Sequence, residues 1–153
     1  MDKTDRAILD ALQKDSSRPM AELAEAVMVS PSACHRRVRA LEERGVIEGY
    51  VARLDPHRLG LAVEVLVEIT LTSQNREAMD TFETAVGGFD DILECHLMSG
   101  QADYLLRVAA SDLEQFDTLH RNCLARLPGV SAMHTSFVLR RIKRMTGYPV
   151  GRG

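Results

Sequence analysis

Ser30, Ser32, His35, Arg36, Arg37 and Arg39 crowd one short stretch of the chain. Their side chains suit recognition rather than bond-making. A guanidinium fork fits phosphate oxygens and the O6/N7 edge of guanine, and hydroxyl and imidazole groups bond base edges or backbone. Such chemistry needs a helix to present it, and the local sequence specifies one. Ser30 is suited to the N-cap, and Pro31 to the first helical position, where its missing N–H costs nothing. Cys34, Val38 and Leu41 recur at i, i+4 and i+7 as a buried stripe. Ser32, Arg36, Arg39 and Glu43 then point the opposite way, flanked by His35 and Ala40. On this geometry Ser32, His35, Arg36 and Arg39 are expected to face a DNA groove. Arg37, nearer the buried stripe, is expected to hold phosphate.

Two further helices must support that face. Met20, Leu23, Ala24 and Val27 repeat at helical spacing, and only Met28 and Val29 separate them from Ser30. An earlier helix, from about Asp2 to Lys14, offers Ile8, Leu9 and Leu12 as a third wall. A short helix, a tight turn and a longer basic helix is the helix-turn-helix order. A charge run taken alone reads as a solvated surface. The cap, the turn and the helix order together favour DNA.

Composition sets the bounds. The chain has 153 residues, 45% of them hydrophobic, which suits one large domain or two small ones. No apolar run reaches the roughly 18 residues of a membrane helix, and no signal peptide is evident, so a cytoplasmic protein is expected. Cys34, Cys95 and Cys123 form no C-x-x-C pair, which fits reduced thiols; no metal and no cofactor are expected. The net charge is −3, and residues 1–60 carry ten basic and ten acidic side chains. Affinity for DNA grows with the number of phosphates neutralised, so several DNA-binding units acting together are expected.

The pattern changes near Asp55-Pro56-His57-Arg58-Leu59-Gly60. Before this break, Val46 to Leu54 reads as a strand. After it, Val63, Val65, Val67, Ile69 and Leu71 alternate with polar residues, as in a half-buried strand. A helix from Asn75 to Val86 follows. Strands at Ile92–Met98 and Tyr104–Val108 flank the hairpin Ser99-Gly100-Gln101-Ala102. Ser111-x-x-Glu114 has capping-box spacing and opens a helix with Leu113, Phe116, Leu119, Cys123, Leu124 and Leu127 inward. Val130–Leu139 is the last strand, and the tail from Lys143 to Gly153 is expected to be loose. The order is βαββαβ, a ferredoxin-like sheet with both helices on one face. Its helix-free face is expected to bury apolar surface against a partner sheet, through Val63, Val65, Val67 or the neighbours of Leu66.

These pieces resemble the Lrp/AsnC family of regulators over nearly the whole chain. The matching runs include Asp2-x-x-Asp5-x-x-Ile8-Leu9, Ser30-Pro31-Ser32-x-Cys34-x-x-Arg37-Val38-x-x-Leu41-Glu42 and Gly45-x-Ile47-x-Gly49-Tyr50. Further on are Glu94-Cys95-His96-Leu97-x-Ser99-Gly100-x-x-Asp103-Tyr104-Leu105-Leu106 and Leu127-Pro128-Gly129-Val130. The resemblance implies an α+β protein with a winged helix-turn-helix, placed at residues 1–60, and a ferredoxin-like effector-binding and oligomerisation domain at 61–153. It also implies dimers assembling into octamers, an amino acid as effector, and no enzymatic activity. Two departures stand out. Met28 occupies the turn where relatives often carry Gly, and Pro19 replaces the Ser or Thr that caps the second helix, which would move the cap to Ser17.

By the same resemblance, effector binds near the hairpin at an interface between dimers. The candidates are Ser99, Gly100, Gln101 and Asp103, with Thr135, Ser136 and Phe137 on the last strand. Gly100 admits a close approach to backbone, and Asp103 can pair with an ammonium group. On that reading Asp103→Ala removes the response and leaves the fold intact. The other reading of Asp103 is a turn residue bonded to nearby backbone. Tyr104 is expected to pack, with its hydroxyl at an interface. A different class also has this two-domain plan: tetrapyrrole (sirohaem-type) decarboxylases, in which His96, Arg107 and His134 would surround a macrocycle.

Overall fold

The computed structural model describes residues 1–150. The chain divides into two units: Met1–Arg53 with Ile142–Gly153, and Leu54–Arg141.

The first unit is built on three helices, α1 (Lys3–Lys14), α2 (Met20–Ala26) and α3 (Pro31–Glu43). Asp2 caps α1 in a reciprocal box with Asp5, each carboxylate accepting the other's backbone N–H. Ser30 caps α3 through the Ala33 N–H, with Pro31 in the first turn, as the sequence predicts. Pro19 leaves α2 without a side-chain cap, and Ser17 is bonded to Asp15 instead. Ile8, Leu9, Leu23, Ala24, Cys34, Val38 and Leu41 close a single core. Full burial of such a side chain is worth about 1.5–3 kcal/mol, which is how three short helices hold together. Met28 has φ 55° and an exposed side chain, so the α2–α3 turn places a non-glycine residue in the left-handed region, at about 1–2 kcal/mol. The strand expected at Val46–Leu54 does not form. Residues 48–54 belong to no helix or strand of this chain, and Val51 and Leu54 are exposed. Apolar residues in extended spacing make a strand only where a partner supplies the hydrogen bonds.

The second unit is a four-stranded antiparallel sheet in the order β2-β3-β1-β4. Its strands are β1 (Val63–Leu71), β2 (Ile92–Leu97), β3 (Tyr104–Ala110) and β4 (Val130–Phe137). Two helices, α4 (Arg76–Val86) and α5 (Leu113–Asn122), cover one face. The βαββαβ order is therefore the observed one. Val65, Val67, Ile69 and Leu71 on β1 and Tyr104, Leu106, Val108 and Ala110 on β3 pack under Phe82, Val86, Phe116 and Leu119. Val65 and Val67 are fully buried in this core and cannot also form a partner interface. The helix-free face carries the alternate residues, a mixture of apolar Leu66, Leu105 and Ala109 with charged Glu64, Glu68, Glu94 and Arg107. Arg107 donates to Glu64 at 2.7 Å and to Glu94 at 2.8 Å, and Arg141 also pairs with Glu64. The α5 cap is Asp112, which accepts from the Gln115 N–H, one residue later than the Ser111 cap expected from spacing. That shift turns Leu113 outward, 65% exposed.

Candidate DNA interface and effector site

Capping and burial set the presentation of α3. With Cys34, Val38 and Leu41 locked into the core, Ser32, His35, Arg36 and Arg39 occupy i, i+3, i+4 and i+7 of the opposite face, all exposed. Ser30 lies at the N-terminus of this face, with its hydroxyl 3.3 Å from that of Ser32. The exposed helix start adds N–H groups and a partial positive charge that favour phosphate.

Arg37 has a different place. Its Nη1 donates to Asp2 and to Asp5, both at 2.7 Å, and the side chain is 31% exposed. The guanidinium expected to hold phosphate ties α3 to the N-terminus of α1 through Nη1. The Asp5 N–H and Arg37 together hold the Asp2 carboxyl below its ordinary range, and the same two carboxylates push Arg37 upward. Asp2 and Asp5 are thereby the anchor for Arg37 as well as the cap of α1. The run Asp2-x-x-Asp5 stands in the sequence, but nothing local in it points to a partner 32 and 35 positions away. Behind α3, the Tyr50 hydroxyl donates to Glu42 at 2.9 Å; burial and that bond push the phenol up to about 12.

In the second unit, the Ser99–Ala102 hairpin joins β2 and β3, and Ser99, Gly100 and Gln101 are exposed. A Cβ added at Gly100 would meet nothing within 4 Å, so packing within the chain does not require glycine there. Asp103 is buried and its carboxylate is already in use. Oδ2 accepts from the Leu71 N–H at 2.7 Å, and Oδ1 from the Gln74 side-chain amide at 2.6 Å. The Asp103 N–H in turn donates to the Ile69 carbonyl at 2.8 Å. Asp103 thus fastens the hairpin to the end of β1, and its removal would not leave the fold untouched. Gln74 carries no signal of this contact in the sequence. The Tyr104 hydroxyl donates to Glu83 of α4 at 2.7 Å rather than reaching an interface; burial and Glu83 raise this phenol.

Thr135, Ser136 and Phe137 pair with Val67, Leu66 and Val65, whereas the hairpin adjoins Ile69 and Leu71. The two stretches are separated by the width of β1, which lies between β3 and β4, and are offset along it by two residues or more at about 3.4 Å each. Phe137 also packs edge-on against Phe116, with ring centroids 5.2 Å apart. The two halves of the expected effector site do not meet within one chain. Of the residues considered for a macrocycle, Arg107 is held by Glu64 and Glu94, and His96 lies 3.4 Å from Glu94. Burial raises the Glu94 carboxyl, but His96 and Arg107 outweigh it and the net shift is downward. Among the described residues, no cluster of His, Cys, Asp and Glu could hold a metal ion, and no helix is long and apolar enough to cross a membrane.

Comparisons with known proteins agree with this layout. Residues 1–42 match the AsnC-type helix-turn-helix domain, and residues 64–148 match the Lrp/AsnC ligand binding domain. The chain is 42% identical over 144 residues to the leucine-responsive regulatory protein of Escherichia coli strain K12, covering 94% of this chain and 88% of that protein. Among solved structures, an AsnC family transcriptional regulator from Agrobacterium tumefaciens superposes with a TM-score of 0.93 at 36% identity, over 99% of this chain and 98% of the other. The L-Met complex of a transcriptional regulator from Neisseria meningitidis superposes with a TM-score of 0.92 at 33% identity, over 98% and 97%. These relatives are regulators, and none of them favours a decarboxylase.

Proposed function

The chain belongs to the Lrp/AsnC family of transcriptional regulators, and from that premise we propose which residues do its work. Ser32, His35, Arg36 and Arg39 read base edges in the major groove, while Ser30 and the free N–H groups at the start of α3 meet the backbone. The observation that carries this reading is the exposed face of α3, where these four side chains stand in helical register opposite a buried stripe. Arg37 orders α1 against α3 and touches DNA only through that effect.

The effector is an amino acid. The L-Met complex of the Neisseria meningitidis regulator, with its matching fold, supports that class. Ser99, Gly100 and Gln101 offer main-chain N–H and C=O groups to the ligand's carboxylate and ammonium, and Asp103 holds the hairpin in place. Thr135, Ser136 and Phe137 complete the site from another copy, because one chain does not bring them to the hairpin. The site is therefore a property of the assembly, dimers joining into octamers in the cytoplasm. Multivalency also compensates for a DNA-binding unit with little net charge.

The test is a gel shift on a DNA sequence selected from a random pool by the wild-type protein. Each lost base contact is worth about 1–3 kcal/mol of discrimination. The Arg36→Ala/Arg39→Ala variant should therefore bind the selected and a scrambled sequence alike. A preference retained at wild-type strength would refute the assignment.

A further inference from the structure

The tail after β4 is not loose as far as Val150; residues 151–153 lie outside the described residues. It returns to the first unit, and α1 recognises it through main-chain groups. The Arg6 guanidinium donates to the Val150 carbonyl at 2.9 Å. The Gln13 amide pairs with both main-chain groups of Tyr148, donating to its carbonyl at 3.0 Å and accepting its N–H at 2.5 Å. Arg6 and Gln13 are seven residues apart, two turns along one stripe of α1, which is the spacing an extended segment needs. Val150 packs against the Ile8–Leu41 core, beside a cavity of about 450 Å³ lined by Leu9, Leu12, Val46, Ile47 and Tyr50.

One position shows that the seat is built for this segment. Gly147 has φ 138°, a conformation in which L side chains are strained. A Cβ there would lie 2.5 Å from Gln13 Oε1 and 2.7 Å from its Cδ. A side chain at this position would have to displace the Gln13 amide that makes the paired bonds.

We propose that residues 142–150 are a strap, an extended peptide ligand carried by the chain itself, and that the Arg6–Gln13 stripe of α1 is its receptor. The chain then crosses between its two units twice, at Arg53–Leu54 and at Arg141–Ile142. Within the second unit the start of β1 adjoins the end of β4. The Val138 N–H donates to the Glu64 carbonyl at 2.9 Å, and Arg141 pairs with the Glu64 carboxylate. The strap makes the second crossing a tether fixed at both ends rather than a free tail.

Amide hydrogen exchange on the full-length protein tests the seat. The Tyr148 N–H should exchange at least tenfold more slowly than in an unstructured peptide of the same sequence. Gln13→Ala and, separately, Gly147→Val should each return it to the peptide rate while the α3 amides keep their protection. An unprotected Tyr148 in the wild type, or protection that survives both variants, would overturn the proposal. A Lys14→Cys/Thr146→Cys variant treated with a short bis-maleimide identifies the donor of the strap. These two positions line one pocket with Gln13 and Gly147. A product of single-chain mass on a denaturing gel is expected, and a product of double mass would show that a second copy supplies the segment.

Discussion

The Leu71 N–H and the Asp103 carboxylate meet in a buried hydrogen bond of 2.7 Å that spans 32 positions of sequence. It closes the end of β1 onto the hairpin whose main chain we assign to the effector. Asp103→Ala leaves the Leu71 N–H buried without a partner, which costs about 1–3 kcal/mol. Asp103→Asn keeps one oxygen for that N–H, and rotation of the Gln74 amide can present its oxygen to the new NH₂ group. Urea denaturation should place Asn close to wild type and Ala well below it. Equal stability of all three proteins would contradict this role.

Arg37 gives a second test. A lost phosphate contact lowers the slope of log affinity against log salt by about 0.9. Arg37→Ala should leave that slope unchanged and lower the melting temperature, because the side chain binds Asp2 and Asp5. DNA titrations at several salt concentrations decide, and a slope reduced by about one unit would return Arg37 to the phosphates.

Much of the site can be read from the sequence, and the failures have a common physical cause. The cap, face and burial of α3 follow from Ser30, Pro31 and the Cys34–Val38–Leu41 stripe, all within about three turns of helix. The alternation in β1 likewise shows its buried face. By contrast, the partners of Arg37 and Asp103 lie more than 25 residues away, and local pattern carries no record of them. Val46–Leu54 has a strand-like composition but no neighbour to pair with. Ser111 and Asp112 are adjacent capping residues, and only packing selects the second. The seating of residues 148–150 on α1 runs through their main-chain groups, which composition cannot show.

The Asp2 carboxyl is held below its ordinary range by the Asp5 N–H and by Arg37. A group depressed in the folded state stabilises it above the unfolded pKa, about 4, and loses that contribution as pH falls through the lower folded value. Wild type should therefore be more stable than Asp2→Asn at pH 7, with the gap narrowing as pH falls from about 4 toward 2. Thermal melts across that range would show it. A gap that stays constant or widens in acid would contradict the assignment.

The central claim is that this chain couples sequence-specific DNA binding to an amino acid. Fluorescence anisotropy with a labelled selected DNA, repeated with each of the twenty amino acids, measures the coupling directly. Typical coupling free energies of about 1–3 kcal/mol correspond to about 5- to 150-fold in affinity. At least one amino acid should shift the DNA midpoint by fivefold or more, with a preference for the selected over a scrambled sequence. Binding that shows no sequence preference, or no response to any amino acid, would contradict the account.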